Sequence, residues 1–377
     1  MRTESALAIV FTGFVVKYPS MEARGMSRKT AAFAIFASLF LFSFFVGCEH
    51  IESLSDQIQT QNSERLAGAP NGSTIENNRP ANAGWLVSQS TAIRAPSLPP
   101  RNPQTILIAS FNIQTFGVSK MSKPGIPEQL AEIIRQFDIV AIQEIRDSTN
   151  KSLPALVEYV NRNGAKYDYI ISPPLGRTVS KEQYAYVFNT ETIVSSNEFS
   201  YLVEDTQDLL HREPLVARFV TRVPTGFQPF RFTLVNMHSD PDEAFDESEV
   251  LSAVFKSIQN FEYANAGEDD VILLGDLNIE PRNFQSLARV PGLIWLFNEP
   301  TNTRRTRIWD NILLDRDLTN EFTGRFGVLD VEQMFRIGRE EALAISDHLP
   351  IWAEFYVTEM PRTVPSRAAD GRGFTLR

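Results

Sequence analysis

Residues 139–148 read IVAIQEIRDS. Ile139–Gln143 is an apolar run of strand length, and it stops on an acid, Glu144. The same grammar recurs on both sides. Upstream, Ile106–Ile113 (ILIASFNI) is strand-like and carries Asn112 near its end. Between the two, Ile126–Phe137 has the spacing of an amphipathic helix. Pro127 suits its first turn, and Leu130, Ile133, Ile134 and Phe137 share one face. Downstream, Leu153–Asn161 reads as helix. Tyr167–Ile171, Tyr184–Phe188, Val216–Val220 and Arg231–Met237 read as strands. Residues 243–263 predict a long helix with Val250, Val254, Ile258 and Phe261 inward. Val271–Leu274, Ile308–Leu314 and Ile351–Val357 complete the strand set. Hairpin-like pairs thus mix with helical crossovers. On pattern alone the domain is α/β or α+β with mixed sheets.

The chain has 377 residues, 43% hydrophobic and 22% charged, with a formal net charge of −10. That is an ordinary globular mix with enough apolar material for a sizeable core. It excludes collagen-like, coiled-coil and wholly disordered chains. The acidic balance argues against a protein that coats nucleic acid through bulk positive charge, and leaves room for a local basic patch. The single cysteine, Cys48, excludes an intrachain disulfide framework and multi-cysteine metal sites.

The folded unit expected at 104–357 is flanked by other material. Ala31–Val46 (AAFAIFASLFLFSFFV) is uncharged and follows Arg28 and Lys29. It predicts the apolar core of a signal peptide within residues 1–47, with Met21 or Met26 as alternative starts. Gly47-Cys48 at its end resembles a bacterial lipoprotein signal, which makes Cys48 the lipidated first residue of the mature chain; two acyl chains are needed for stable anchoring. An uncleaved anchor, or ordinary cleavage with Cys48 as bystander, is the competing account. Residues 48–103 are rich in Asn, Ser, Gln, Ala and Pro and read as a disordered tether. About fifty such residues span on the order of 40 Å. The stretch 358–377 reads as a flexible tail. The expected location is extracytoplasmic, either membrane-anchored or secreted.

The informative residues sit where apolar strands end. SFNIQTF carries Asn112, DIVAIQE Glu144, FTLVNMHS His238, VILLGDLN Asp276 and Asn278, RIWDNILL Asp310 and Asn311, and ISDHLPIW Asp347 and His348. Groups at strand ends can converge in one crevice without disturbing the core. Carboxylates and amide carbonyls suit a hard divalent cation. Histidines with acidic partners suit proton transfer near neutral pH. Together they are what in-line attack of water on a phosphodiester requires. Each residue alone also has an ordinary account: Gly275-Asp276 as a turn, Asp347 as a cap, Glu144 paired with Arg146. Six strand ends that each carry a matching group make coincidence a poor explanation.

These motifs resemble the endonuclease/exonuclease/phosphatase superfamily, and within it the deoxyribonuclease I branch. IASFNIQTFG, DIVAIQEIRDS, SPPLGR with KEQY, REPLVARF, VNMHS, GDLN and EALAISDHLP stand in the family's order. The resemblance implies a four-layer α/β/β/α sandwich with the crevice at one edge of two packed sheets. It implies Glu144 as main ligand of a catalytic Mg²⁺ or Mn²⁺, with Asn112 and Asp347 completing that environment and Ca²⁺ as a structural ion. His238 and His348 match the catalytic histidines, Glu182 and Asp310 their acidic partners, and Asp276 and Asn278 the groups around the scissile phosphate. Which histidine is base and which acid stays open. Arg146 and Arg177 match residues that contact DNA, and Asn311 follows the wider superfamily pattern for substrate binding. Ser180 stands where the branch usually has a tyrosine against the DNA sugar. The implied function is a monomeric endonuclease acting on double-stranded DNA. A superfamily phosphatase or phospholipase at a membrane, and a non-catalytic binding module on the same fold, are the alternatives.

Overall fold

The computed structural model describes residues 9–11, 14–16, 93–94 and 98–361. The expectations for the apolar run 31–46, Cys48, most of the tether and the tail beyond 361 fall outside the described residues. No helix among the described residues is long and apolar enough to cross a membrane.

The described strands are β1 (Ile9–Phe11), β2 (Phe14–Val16), β3 (Ile93–Arg94), β4 (Thr105–Phe116), β5 (Ile139–Ile145), β6 (Tyr167–Ile171), β7 (Gln183–Asn189) and β8 (Ile193–Val194). They continue with β9 (Ser200–Asp205), β10 (Leu215–Thr221), β11 (Arg231–His238), β12 (Val271–Asp276), β13 (Leu293–Trp295), β14 (Asp310–Asp315), β15 (Phe322–Val328) and β16 (Ile351–Tyr356). One sheet runs β3-β15-β16-β4-β5-β7-β6. The other runs β1-β2-β9-β10-β11-β12-β14-β13, with β8 added beside β10. At the centre of each lies a parallel pair, β4 with β5 and β11 with β12. Each pair needs a crossover, supplied by α1 (Ile126–Ile134) in the first sheet. After α2 (Ser152–Asn161), α3 (Ala244–Ala266) supplies the second crossover, and α4 (Arg339–Ile345) leads into β16.

The core falls into three slabs between four layers. Inward residues of both sheets, among them Ile108, Tyr186, Phe219, Phe232, Leu274 and Ile351, form the central slab. Phe219, Phe230 and Phe232 stack there with centroids 5.7 and 4.6 Å apart. Such pairs contribute about 0.5–1.5 kcal/mol each beyond area burial. The opposite face of the first sheet packs on α1, α2 and α4 through Leu130, Ile134, Leu156 and Ile345. The opposite face of the second sheet packs on α3 through Leu251, Val254, Phe255 and Ile258. The α/β/β/α order is therefore the expected one. Helix α1 is shorter than its pattern: Gln136 and Phe137 donate to the Ile133 and Ile134 carbonyls, a tight turn that still buries Phe137.

Polar ties fix one sheet over the other. Gln143 Nε2 donates to Asn236 Oδ1 at 2.6 Å, and Asn236 Nδ2 to the Ile142 and Ala185 carbonyls at 3.2 and 3.1 Å. The Tyr186 hydroxyl reaches the Leu215 and Leu234 carbonyls. These groups are buried, so each tie also satisfies a donor that would otherwise cost free energy. The packed unit begins before residue 104. Arg101 pairs with the buried Asp138 at 2.7 Å, and the backbone of β3 lies beside β15.

Candidate active site

The C-terminal ends of the two central parallel pairs meet at one edge of the sandwich. Asn112 ends the regular pairing of β4 with β5, where the register shifts. The β5–β7 register also shifts between Ile142 and Ile145. Such bulges turn side chains away from their sheet. Glu144 sits in the shift with φ of +59°, and Thr115 and Asn278 at neighbouring strand ends have φ of 49° and 48°. Left-handed backbone at residues with a side chain stores strain of about 1–3 kcal/mol each and clusters where function fixes geometry. Gly275 precedes Asp276 with φ of 152°, and a Cβ there would lie 1.9 Å from the Met237 carbonyl oxygen. Only glycine lets β12 bring Asp276 so close to β11.

Two histidines converge on Asp276. His238 Nδ1 lies 2.7 Å from Glu182 Oε1, and its Nε2 lies 3.5 Å from Asp276 Oδ2. His348 Nδ1 lies 2.9 Å from Asp310 Oδ2, and its Nε2 lies 3.4 Å from the same Asp276 oxygen. The arrangement is nearly symmetrical: acid, imidazole, shared carboxylate, imidazole, acid. All five side chains are buried. Burial alone would lower the His238 pKa, but Glu182, hydrogen-bonded to it, and Asp276 outweigh burial and raise it. The same contest at His348, against Asp310, Asp276 and Asp347, raises it to about 10. Burial pushes the Asp276 carboxyl up, and the two imidazoles pull against that push.

Each histidine is held by the opposite sheet or a neighbouring loop. The Tyr184 hydroxyl of the first sheet accepts from His238 N at 2.9 Å. Thr301 Oγ1 donates to Asp310 Oδ2 at 2.7 Å, and Trp309 packs on the His348 ring at 5.4 Å. Ser346 Oγ donates to the Asn112 carbonyl and accepts from His348 N, tying the SDH turn to β4.

Beside the histidines lies a set of oxygen donors. Asn112 Nδ2 donates to Glu144 Oε1 at 3.1 Å and to Asp276 Oδ2 at 2.9 Å. Facing two acids, the amide must present its nitrogen to them. Its carbonyl oxygen is left buried without a hydrogen-bond partner, as is Asp347 Oδ1. Burial would push Glu144 up, but the positive His238, the Thr115 amide, Asn112 and Arg146 together hold it below its ordinary pKa. An ionised carboxylate with orphaned amide and carboxylate oxygens nearby is a donor set that fits a hard divalent cation such as Mg²⁺ or Mn²⁺.

Asn278 belongs to the constellation through its backbone: its amide donates to Asp276 Oδ1 at 3.0 Å, and its side chain donates to the Ser239 carbonyl. Arg146 stands at the rim, 3.6 Å from both Glu144 and Glu182, with 33% of its side chain exposed. The two remaining expected substrate residues are placed otherwise. Arg177 directs its guanidinium to Asp208 at 2.9 Å and Glu243 at 2.7 Å, so its charge is already engaged by two acids. Asn311 is buried with its side chain fully used: Oδ1 accepts from Leu296 and Phe297 N, and Nδ2 donates to the Phe297 carbonyl. Neighbouring residues on a strand point to opposite faces. Asp310 faces the site, and Asn311 turns to the other side of the strand, where it clamps the chain at Leu296 and Phe297.

Two contributors escaped the sequence reading. Arg212 is buried, its Nε 3.2 Å from Glu182 Oε1, and it donates to the His238 carbonyl. Its position in REPLVARF, a motif matched as a whole, was the available signal. Lys120 is buried, donating to the Ile345 carbonyl at 2.8 Å. Burial and Lys123 lower its pKa to about 8, while Asp347 and Glu144 pull upward.

Two carboxylate-backed histidines and a hard-cation donor set, at the edge of an α/β/β/α sandwich, define the class of this molecule. The chain belongs to the endonuclease/exonuclease/phosphatase family, whose pattern matches residues 109–348. It is similar to deoxyribonuclease-1 of Bos taurus, 31% identical over 263 residues, covering 66% of this chain and 91% of that protein. Deoxyribonuclease gamma of Rattus norvegicus is 29% identical over 267 residues, covering 66% of this chain and 83% of its own length. Among solved structures, a family member from Bacteroides thetaiotaomicron has 16% identity and a TM-score of 0.47, covering 68% of this chain and 99% of that one.

Proposed function

We propose that the protein is a divalent-metal-dependent endonuclease that hydrolyses DNA phosphodiester bonds by direct attack of water. The observation that carries this reading is the convergence of two acid-backed imidazoles on Asp276 beside Glu144 and Asn112. The similarity to proteins named deoxyribonucleases supports DNA as the substrate.

Glu144, with Asn112 and Asp347, would hold Mg²⁺ or Mn²⁺, which when bound supplies positive charge for the oxygens of the reacting phosphate. The chain's own groups handle the protons. Hydrolysis needs a base for water and an acid for the leaving oxygen. His348 faces three carboxylates, so it keeps its proton and suits the acid. His238 takes the base role: against burial, Glu182 and Asp276 raise its pKa, Arg212 opposes them, and Glu182, bonded at Nδ1, steadies the imidazolium that forms when Nε2 accepts the proton of water. The pair titrates as one coupled unit through Asp276. Asn112 Nδ2 orients both Glu144 and Asp276. Arg146, donating to Ser180 Oγ at 3.3 Å, is the positive group at the mouth for a backbone phosphate. Ser180 in place of an aromatic residue leaves duplex contact to such charge pairing. The reading also includes an extracytoplasmic, lipid-anchored monomer beginning at Cys48.

The test is nicking of supercoiled plasmid by the purified chain. Nicking is expected with Mg²⁺, alone or with Ca²⁺, and none with EDTA or in His238→Ala. Absence of nicking by a folded preparation, with turnover of bis-p-nitrophenyl phosphate or a lipid phosphodiester instead, would move the function to a phosphatase or phospholipase.

A further inference from the structure

A second group of acids lies at the opposite end of the sandwich. Asp270 immediately precedes β12, and Asp276 ends it. Six residues at about 3.3 Å each separate the two ends by roughly 20 Å. Glu321 immediately precedes β15, and Glu359 follows β16, so these acids belong to the other sheet. One oxygen from each of Asp270, Glu321 and Glu359 lies within 4.8 Å of the other two, and Asp270 forms a similar trio with Glu268 and Asp269.

The cluster is fixed by backbone and left unsatisfied toward its centre. Glu268 Oε1 accepts from Asp270 N at 2.9 Å, Glu321 Oε1 from Met360 N at 2.7 Å, and Glu359 Oε1 from Arg231 N at 3.0 Å. Each glutamate is thus oriented by one oxygen. Asp270 is 4% exposed, and Glu321 and Thr319 are 2% exposed. Yet Asp270 Oδ1 and Glu321 Oε2 are buried with no hydrogen-bond partner. The Thr319 hydroxyl, also buried, is the side-chain hydrogen-bonding neighbour of Asp270 and pulls its pKa down against burial. Arg231 reaches only the edge, 3.9 Å from Glu268 Oε2. Two buried, orphaned carboxylate oxygens in a cluster of acids are a costly arrangement for a chain alone.

We propose that Glu268, Asp270, Glu321 and Glu359, with the Thr319 hydroxyl, form a second divalent-cation site suited to Ca²⁺, which clamps the two sheets at the end remote from catalysis. All donors are hard oxygens. Ca–O distances of about 2.3–2.6 Å put donors on opposite sides of the ion about 5 Å apart, the scale of this cluster, and Ca²⁺ accepts irregular geometry. The ion would join the start of β12 to the entry of β15 and the exit of β16.

The test uses the full chain carrying Glu144→Gln, so that the catalytic donor set is silenced. Equilibrium dialysis with Ca²⁺ compares it with the same chain carrying Asp270→Asn or Glu321→Gln. One fewer Ca²⁺ per chain is expected in each variant. Ca²⁺ should raise the melting temperature of the parent and lose that increment in the variants. In EDTA both variants should melt at or above the parent, because each replaces a buried carboxyl that crowds other acids and has no cation to satisfy it. Equal Ca²⁺ stoichiometry overturns the proposal, as does an undiminished Ca²⁺ effect on melting. Unfolding of both variants in EDTA also overturns it, since the carboxylates would then be serving the fold without a cation.

Discussion

At one end of β12, Asp276 is buried between two imidazoles and an amide; at the other end, Asp270 is buried among further acids with one oxygen unpartnered. Both ends bury carboxylates, and burial raises the cost of charge at both. The difference is what faces them. At the proposed catalytic end Glu144, Glu182, Asp276 and Asp310 each have an imidazole, an amide or a guanidinium against them, so charge is distributed among defined partners. At the remote end burial, with neighbouring acids, pushes Asp270 to about 9, and burial pushes Glu268 and Glu321 to about 7. Buried acid alone is therefore no sign of catalysis; buried acid matched to a base is.

The sharpest way to break that contrast is to remove the bases. His238→Ala and His348→Ala should each lower the nicking rate about 10²–10⁴-fold, the range of one general acid–base group. The double variant should fall well short of the product, because both imidazoles act in one step and share Asp276. Rates at saturating plasmid measure this. Multiplicative losses would mean that the two histidines work independently.

A smaller effect separates the ends by pH. The remote acids have folded pKa values above their unfolded ones, so the native state binds more protons than the unfolded state between about pH 4 and each folded pKa. Their contribution is fully present below the unfolded values. It is lost as pH rises through about 7 for the glutamates and about 9 for Asp270. The histidines act in the same direction over a later window: His348 stability is present below about 6.5 and lost as pH rises toward 10. In EDTA the chain should lose stability from pH 5 to pH 9. Asp270→Asn should flatten that loss by at least about 2–4 °C in melting temperature, the scale of 1 kcal/mol for a domain of this size. Parallel melting curves for both chains across this range would remove the remote cluster as its source.

The two ends also differed in how far they could be read from sequence. Glu144, His238 and Asp276 each interrupt an apolar run, and a polar residue there stands out against a strand that packs on both faces. Asp270 and Glu321 stand in GEDD and TNEF, where polar neighbours make an acid look solvated. Only the packing of β12, β15 and β16 shows them to be buried. The same limit hid β15 itself. FTGRFGV contains two glycines and an arginine, and its strand pairing comes from β16 rather than from its own propensity. Glu182 was legible only through a whole motif and its partner Arg212 was missed, because a salt bridge between residues 30 apart in sequence leaves no local pattern.

The smallest expected effect tests the line between site and scaffold at a single strand. Asp310 and Asn311 are adjacent at the catalytic end of β14, and a motif treats them as one unit. The structure divides them: Asp310 holds His348, while Asn311 holds the chain at Leu296 and Phe297. Asn311→Ala takes the side-chain partner from the Phe297 amide and carbonyl, while Leu296 N keeps the Ile312 carbonyl. Stability should fall by about 1–3 kcal/mol, the cost of stranded buried groups, with KM for plasmid unchanged. Urea unfolding and nicking across a range of plasmid concentrations read the two separately. A raised KM at undiminished stability would return Asn311 to the substrate. The expected split instead follows from alternation along the strand, which lets one residue serve the chemistry and its neighbour the fold.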